Sequence, residues 1–353
     1  MPYRRRTQEL VETIVGQAKE RNCLSGFTIG NTAKPENHGL YFTPLRTGRL
    51  MVSAGVIVYS AGEAVEVAKI ADGHVRYILV DAETKIPNTV ASGESISIEG
   101  LIRRNVREST LWFYKANDLS VDAVDGLLAQ LTNTDLRGVY GRRVAILGAG
   151  NIGFKLALRL VERGAHVVIT RRNPEILSHL VRAINCVKSA YTQAVAEGLT
   201  DNAAAAAGAE FLIGTSSGVA LITPAMIESL APNAMIIDVG KGVLFPEAIA
   251  LAHAKGMRIF RLDITAAFEG LVHHLWAAET LVEHRMGRRQ WHGEAIVSGG
   301  FLGGADEIVV DNVHNPNVIY GIADGQGDFV RPVTDEQQAR LDRLDAAMRQ
   351  DRS

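Results

Sequence analysis

Val144-Ala145-Ile146-Leu147-Gly148-Ala149-Gly150-Asn151-Ile152-Gly153 is the stretch on which the fold turns. Four apolar residues running into glycine read as a buried parallel strand, and Lys155 to Arg163 read as the helix it feeds. Beyond Gly164 a second strand, His166-Val167-Val168-Ile169-Thr170, completes the order strand, G-x-G-x-x-G, helix, strand. In a dinucleotide site each glycine has its own task. Gly148 permits the tight turn off the strand, Gly150 lets backbone N–H groups approach a diphosphate, and Gly153 lets the helix pack close to the sheet. The diphosphate would lie at the positive end of the helix dipole. Gly148, Ala149, Gly150, Asn151, Ile152 and Gly153 are therefore the candidate cofactor residues, against the alternative of an ordinary structural turn.

The end of the second strand selects the nucleotide. An NAD site usually carries Asp or Glu there to accept from the ribose 2′-OH, whereas this chain has Thr170-Arg171-Arg172-Asn173. Guanidinium offers phosphate a planar fork of donors, so NADP is expected, with Arg171 preferred over Arg172 as the ligand and Thr170 beside them. Further on, Phe211-Leu212-Ile213-Gly214-Thr215-Ser216 is a strand ending in small residues, where a nicotinamide can lie against backbone.

Composition narrows the class. With 47% hydrophobic and 22% charged residues over 353 positions, the chain can fill two domains or one large one. A net charge of −2 argues against nucleic acid as the main partner, since phosphate neutralisation needs a basic excess. No apolar run reaches the length of a membrane span, and charge interrupts the apolar pairs of the N-terminus, so no secretory segment is expected. Cys23 and Cys186 form neither a disulfide framework nor a C-x-x-C, which suits a reducing cytoplasm. The histidines show no ligand spacing, and no metal is expected.

Taken in order, residues 8 to 22 read as an amphipathic helix capped by Thr7, with Leu10, Ile14, Val15 and Ala18 on one face. Gly26 to Gly48 is rich in turn formers and reads as a long loop or broken strand. Val56-Ile57-Val58-Tyr59, a helix from Glu63 to Ala71 and Tyr77-Ile78-Leu79-Val80 make a βαβ unit. Its second strand empties into Asp81 to Asn88, the kind of strand exit where open α/β sheets bind ligands. A helix at Ser97 to Asn105, a strand Leu111 to Tyr114, a polar turn Lys115 to Asp122 and an apolar helix Ala123 to Leu131 follow. Asn117 and Asp118 of that turn are candidate substrate residues. After the nucleotide unit come an alanine-rich helix, helices from Thr223 and Pro246, and strands at Met235-Ile236-Ile237-Asp238 and Arg258 to Leu262. Lys241, between Gly240 and Gly242, stands at a strand exit and is a catalytic candidate, with a phosphate-binding or structural role as the alternative.

The expected fold is α/β: an N-terminal α/β substrate domain (1–122), a doubly wound Rossmann domain of five or six strands (123–265), and a return helix with a C-terminal β-hairpin and helix extension (266–353). The return helix, Ala266 to Gly287, carries His273 and His274. Adjacent helical positions diverge by about 100°, so at most one of them faces a substrate cleft; an interface role is the alternative. The last helix has a capping box at Thr334-Asp335-Glu336-Gln337.

In these features the chain resembles the superfamily that holds shikimate dehydrogenase and methylenetetrahydrofolate dehydrogenase. Glu83-Thr84-Lys85-Ile86-Pro87 is similar to the family loop that carries a catalytic lysine, and Ser120-Val121-Asp122 to the motif that supplies its aspartate, with Asp118 as the second choice. Thr170-Arg171-Arg172-Asn173 resembles the family's Asn-Arg-Thr, and Ile237-Asp238-Val239-Gly240 resembles the corresponding folate-enzyme strand, adding Gly240 to the cofactor set. Lys85 precedes Pro87 instead of following it, Lys34-Pro35-Glu36-Asn37-His38 stands where a Ser-Leu-Ser-Pro loop is expected, and the Tyr-x-x-x-Lys pair of the folate enzymes has no counterpart. These departures point away from shikimate and methylenetetrahydrofolate themselves.

The resemblance implies hydride transfer with a lysine moving the proton and an aspartate tuning it, Lys85 with Asp122 first. Two functions follow as expectations. One is an NADP-dependent oxidoreductase, a homodimer acting on a small polar metabolite, without nucleic acid or membrane. The other is an NADP-binding regulatory or scaffold protein without turnover.

Overall fold

The computed structural model describes residues 2–32, 40–83, 85–86, 97–216, 218–298 and 300–351, and the chain forms two compact units, Met1–Leu271 and Val272–Ser353. The first unit opens with α1 (Pro2–Glu20), β1 (Leu24–Asn31), β2 (Tyr41–Phe42), β3 (Arg46–Thr47), β4 (Met51–Val58), α2 (Ala61–Ala71), β5 (Tyr77–Asp81), α3 (Ile98–Asn105) and β6 (Thr110–Tyr114). Strands β4, β1, β5 and β6 lie side by side and parallel, while the short β2 and β3 pair antiparallel with β4.

Apolar residues of α1, α2 and α3 share one core with Phe27, Ile29, Val52, Val56, Ile78 and Val80. Alternation therefore turns Gly26, Thr28, Ser53 and Gly55 to the other face of the sheet. Gly26 to Asn31, in the stretch expected as a long loop or broken strand, is strand, and the glycines of this sheet fit the close packing: a Cβ on Gly55 would lie 1.8 Å from the Thr28 carbonyl oxygen, and one on Gly26 would lie 2.3 Å from Met51 Sδ. The glycines accept side chains and backbone lying flat across the sheet. Thr7, expected as a cap, is instead buried inside α1, where its hydroxyl donates to the Tyr3 carbonyl (2.8 Å).

Helix α4 (Ala116–Leu131) then leads into a second sheet. Its elements are β7 (Arg143–Leu147), α5 (Asn151–Glu162), β8 (His166–Thr170), α6 (Pro174–Val187), β9 (Ala196–Leu199), α7 (Asn202–Ala206), β10 (Phe211–Gly214), α8 (Pro224–Ser229), β11 (Met235–Asp238), α9 (Pro246–Ala254) and β12 (Arg258–Arg261). All six strands are parallel in the order β12-β11-β10-β7-β8-β9. Val144, Ile146, Ile169 and Ile213 pack with α4, α5 and α6, while Ala145, Leu147, Val168 and Leu212 pack with α7, α8 and α9. Burial on both faces is why these strands read as continuous apolar runs, and the sheet is doubly wound as expected. The edge strand β9 escaped the sequence because its pattern, Ala-Glu-Gly-Leu, has no apolar run.

Helix α10 (Thr265–His284) runs into the second unit, where β13 (Gly287–Trp291), β14 (Glu294–Ser298), β15 (Ile308–Val310), β16 (Ile319–Ile322) and α11 (Asp335–Gln350) follow. The expected hairpin is present as β15–β16 but belongs to a four-stranded sheet, in which β14 pairs parallel with β15. Its other half, β13–β14, turns at His292 (φ +49°) and Gly293 (φ +80°), a His-Gly hairpin signal that the sequence displays. Ile296, Ile308, Val310 and Ile322 bury against Leu344 and Met348 of α11, whose capping box at Thr334 and Gln337 forms as read. Among the described residues no helix is long and apolar enough to cross a membrane.

Candidate functional site

Connections in the second sheet reverse direction between β7 and β10: β7 leads on to β8, whereas β10 leads on to β11 on the other side. Such a reversal opens a crevice at the carboxyl ends of the strands. Gly148 leaves β7 at φ +112°, a left-handed conformation that side chains rarely tolerate, and the Gly150 N–H closes the turn onto the Gly148 carbonyl (2.8 Å). The Thr215 hydroxyl donates to that same carbonyl at 2.6 Å, tying β10 to the turn. A Cβ on Gly153 would lie 2.2 Å from the Gly148 oxygen, so the helix can approach only as glycine. At Gly150 a Cβ would meet nothing within 4 Å. The N–H groups of Asn151, Ile152 and Gly153 have no acceptor among the described residues, as the first turn of a helix dictates.

A cavity of about 580 Å³ opens at this turn. Gly148, Ala149 and Gly150 form one side, Thr170, Arg171, Arg172 and Asn173 the end of β8, Thr200 and Asn202 the floor after β9, and Thr215, Ser216, Val219 and Leu221 the far wall. No carboxylate is among these residues. The two arginines differ in a way the sequence does not reveal. Arg171 Nη1 donates to the Ala149 carbonyl (2.6 Å) and braces the turn, while exposed Arg172 makes no hydrogen bond or ion pair with the described residues. Arg172 is thus the guanidinium without a partner among the described residues, while Arg171 keeps its remaining donors along the cavity. Asn173 caps α6 through Ile176 N–H (3.0 Å).

Gly240 lies beside this wall, where a Cβ would be 1.7 Å from the Ser216 carbonyl oxygen. Buried Asp238 accepts from Gly242 N–H (2.8 Å) and pairs with Arg261 (3.4 Å), holding the loop after β11. Lys241 in that loop is exposed, has φ +60°, and makes no hydrogen bond or ion pair with the described residues.

The first sheet has its own reversal, between β1, which leads to β4, and β5, which leads to β6. Here Asn31 and Asp81, both buried, meet: Asn31 Nδ2 donates to the Asp81 carbonyl (3.1 Å) and Asn31 Oδ1 accepts from Lys85 N–H (3.1 Å). Lys85 Nζ donates to Asp81 Oδ2 (2.7 Å) and lies 3.0 Å from Glu83 Oε2. The expected partner, Asp122, is elsewhere: it sits on α4 and pairs with Arg159 of α5 (2.6 Å). Asp81 has displaced it because the turn expected at 115–122 is helix. Asp81 accepts from Ala116 N–H (3.2 Å) and Glu83 from Asn117 N–H (3.1 Å), so carboxylates from the β5 exit cap α4 in place of a local side chain. Thr84, Pro87 and 34–38 lie outside the described residues.

Asp118, in the first turn of α4, ion-pairs with Lys115 (2.9 Å) and with Lys155 of α5. Burial raises its carboxyl, but the two ammonium groups outweigh burial and hold it below the usual carboxylate range. Further along, Asp125 pairs with Arg163, completing a ladder between the two helices with Asp118–Lys155 and Asp122–Arg159. The ladder joins α4, whose first N–H groups are held by Asp81 and Glu83, to α5, the helix that follows the glycine turn. His273 and His274 are exposed on α10 in the second unit.

Residues 143–242 match the family described as NADP oxidoreductase, coenzyme F420-dependent. That span covers the turn, the cavity and the loop of Lys241, and gives this segment a Rossmann-like, pyridine-nucleotide-binding character. No curated protein matches the sequence. Among solved structures, a dipicolinate synthase subunit from Bacillus halodurans is 16% identical over 63% of this chain and 72% of its own, with TM-score 0.34. L-tryptophan dehydrogenase from Nostoc punctiforme is 15% identical over 64% and 62%, with TM-score 0.40. The 5-ketofructose reductase of Gluconobacter sp. strain CHM43 is 22% identical over 49% and 61%, with TM-score 0.33.

Proposed function

We propose that the chain is an NADP(H)-dependent oxidoreductase that moves hydride to or from a small polar metabolite at a C–OH/C=O or C–N/C=N centre. One observation supports it above the others: the cavity at the glycine turn is lined by two arginines and no carboxylate where an NAD site carries an acid. The residues fit the cofactor. Open space over Gly150 and the unpaired N–H groups of Asn151, Ile152 and Gly153 suit a diphosphate, and Arg172 suits a 2′-phosphate. When bound, the nicotinamide supplies or accepts the hydride. Thr215 and Ser216 form the wall for its ring. Among the described residues Lys85 Nζ meets only Asp81 and Glu83, which leaves a third hydrogen that would serve as the proton to be moved.

The test is binding followed by turnover. Arg172→Glu is expected to weaken NADPH by about 100-fold while changing NADH by less than a few-fold, since a charge-assisted phosphate contact is replaced by repulsion. Equal loss for both nucleotides would refute the 2′-phosphate assignment. Lys85→Ala is expected to lower kcat by roughly 100-fold or more with NADPH affinity kept. A second reading, NADP(H) binding without turnover, is favoured by the commitment of Asp81 and Glu83 to α4, which ties Lys85 to a structural cap. Tight NADPH binding with no oxidation by 3-oxo, imino or cyclic acids would select it.

A further inference from the structure

Two polar groups near the Lys85 cluster have no hydrogen-bond or ion-pair partner among the described residues. Arg46 on β3 is half-buried, its guanidinium carbon 5.7 Å from the centroid of the Phe268 ring, and it makes no hydrogen bond or ion pair with the described residues. Tyr114, at the carboxyl end of β6 and in register with Asp81, packs edge-on against that same ring with centroids 6.4 Å apart. Its hydroxyl has no hydrogen-bond partner among the described residues. Burial, and the charge of Asp81 beside it, push the phenol up and keep it protonated, so it retains a hydrogen to donate. A half-buried guanidinium is normally paired, because the cost of desolvating it must be offset. Here the nearby acids already have partners: Asp81 in Lys85 and backbone N–H groups, Glu269 in the Arg49 N–H (2.8 Å), and Asp263 in the N–H (2.8 Å) and hydroxyl (2.6 Å) of Thr265.

The geometry points to a substrate that carries a carboxylate, with Arg46 as the group that binds it and Tyr114 as a second donor across the Phe268 ring. This rests on the first sheet holding the substrate of the proposed oxidoreductase, and it narrows small polar metabolites to small carboxylic acids. Charge favours carboxylate over phosphate ester: the one guanidinium matches a single carboxylate, whereas a phosphate dianion would be left half-neutralised with Asp263 within reach of the same guanidinium.

Calorimetric titrations of the full chain, with and without NADPH, test this with pyruvate, 2-oxobutyrate and cyclohexanecarboxylate, each beside its methyl ester, and with glycerol 3-phosphate. At least one acid is expected to bind, its ester at least about 30-fold more weakly, as loss of a charged hydrogen-bond partner implies. Arg46→Gln should weaken the acid by a similar factor, Arg46→Lys by roughly 3- to 10-fold, and Tyr114→Phe by about 10-fold, with far-UV circular dichroism and NADPH affinity unchanged. Acid and ester binding alike, an acid indifferent to Arg46→Gln, preference for glycerol 3-phosphate, or no acid bound would each overturn the proposal. Because the titrations run without NADPH as well, Arg46-dependent acid binding in a chain that ignores NADPH would support the acid subsite while removing the oxidoreductase.

Discussion

Gly150 and Gly153 are three residues apart in one motif, yet the structure gives them opposite sensitivities. A methyl at Gly150 meets open space and its φ of −91° suits alanine, so Gly150→Ala is expected to fold with a loss of no more than about 1 kcal/mol, that of replacing a glycine N-cap. The same methyl occupies the space over the turn, and NADPH affinity should fall by at least roughly 10-fold. A methyl at Gly153 would meet the Gly148 carbonyl, so Gly153→Ala should lose about 1–3 kcal/mol of stability as well as binding. Urea unfolding with NADPH titration reads both quantities; a destabilised Gly150→Ala that still binds NADPH would reverse the assignment. The glycines were legible in the sequence because their spacing reports a backbone requirement. The difference between Arg171 and Arg172 was not, since both are arginines and only the position of the Ala149 carbonyl separates them.

At the scale of elements, capping by distant carboxylates recurs. Asp81 and Glu83 cap α4, and Asp72, just after α2, accepts from the N–H groups of Arg107 (2.8 Å), Glu108 (3.0 Å) and Ser109 (2.8 Å) ahead of β6. Partial burial raises the Asp72 carboxyl, but these N–H groups outweigh it and hold it below the usual range. With the folded value depressed, the contribution is present above the unfolded value of about 3.9 and is lost as pH falls through the folded one. Asp72→Asn should therefore cost about 1–2 kcal/mol at pH 7 and progressively less below about pH 4. Urea unfolding of both proteins at pH 7 and pH 3 measures it, and parallel losses would rule Asp72 out as the source. Sequence patterns located the parallel strands of both sheets except β9 and β1, which lies largely in the stretch read as a long loop or broken strand, because burial leaves apolar runs. They misplaced the start of α4, because its caps arrive from more than 30 residues upstream.

For the whole molecule, the nucleotide cavity and the Lys85 cluster both belong to the unit Met1–Leu271. A ligand that binds only folded protein stabilises it by mass action, about 2.7 kcal/mol at a hundred times its Kd. NADPH at that excess is expected to raise the transition of this unit by roughly 5 °C, and NADH at the same concentration by much less. Scanning calorimetry decides; equal shifts would point to a nucleotide site blind to the 2′-phosphate. The sequence foresaw a C-terminal hairpin and helix, and the second unit contains them inside a four-stranded sheet whose β14–β15 pairing is parallel.

What the amino-acid sequence determined alone is local: a glycine turn between apolar strands, the absence of an acid at the end of β8, and the alternation of strand and helix. Each is written in adjacent residues, because backbone conformation and burial act over a few positions. Tertiary structure decided which charges meet. Lys85 pairs with Asp81 and not Asp122, Arg171 braces the turn while Arg172 does not, and Arg46 and Tyr114 share the Phe268 ring, since partners far apart in sequence are chosen by how the sheets and helices pack.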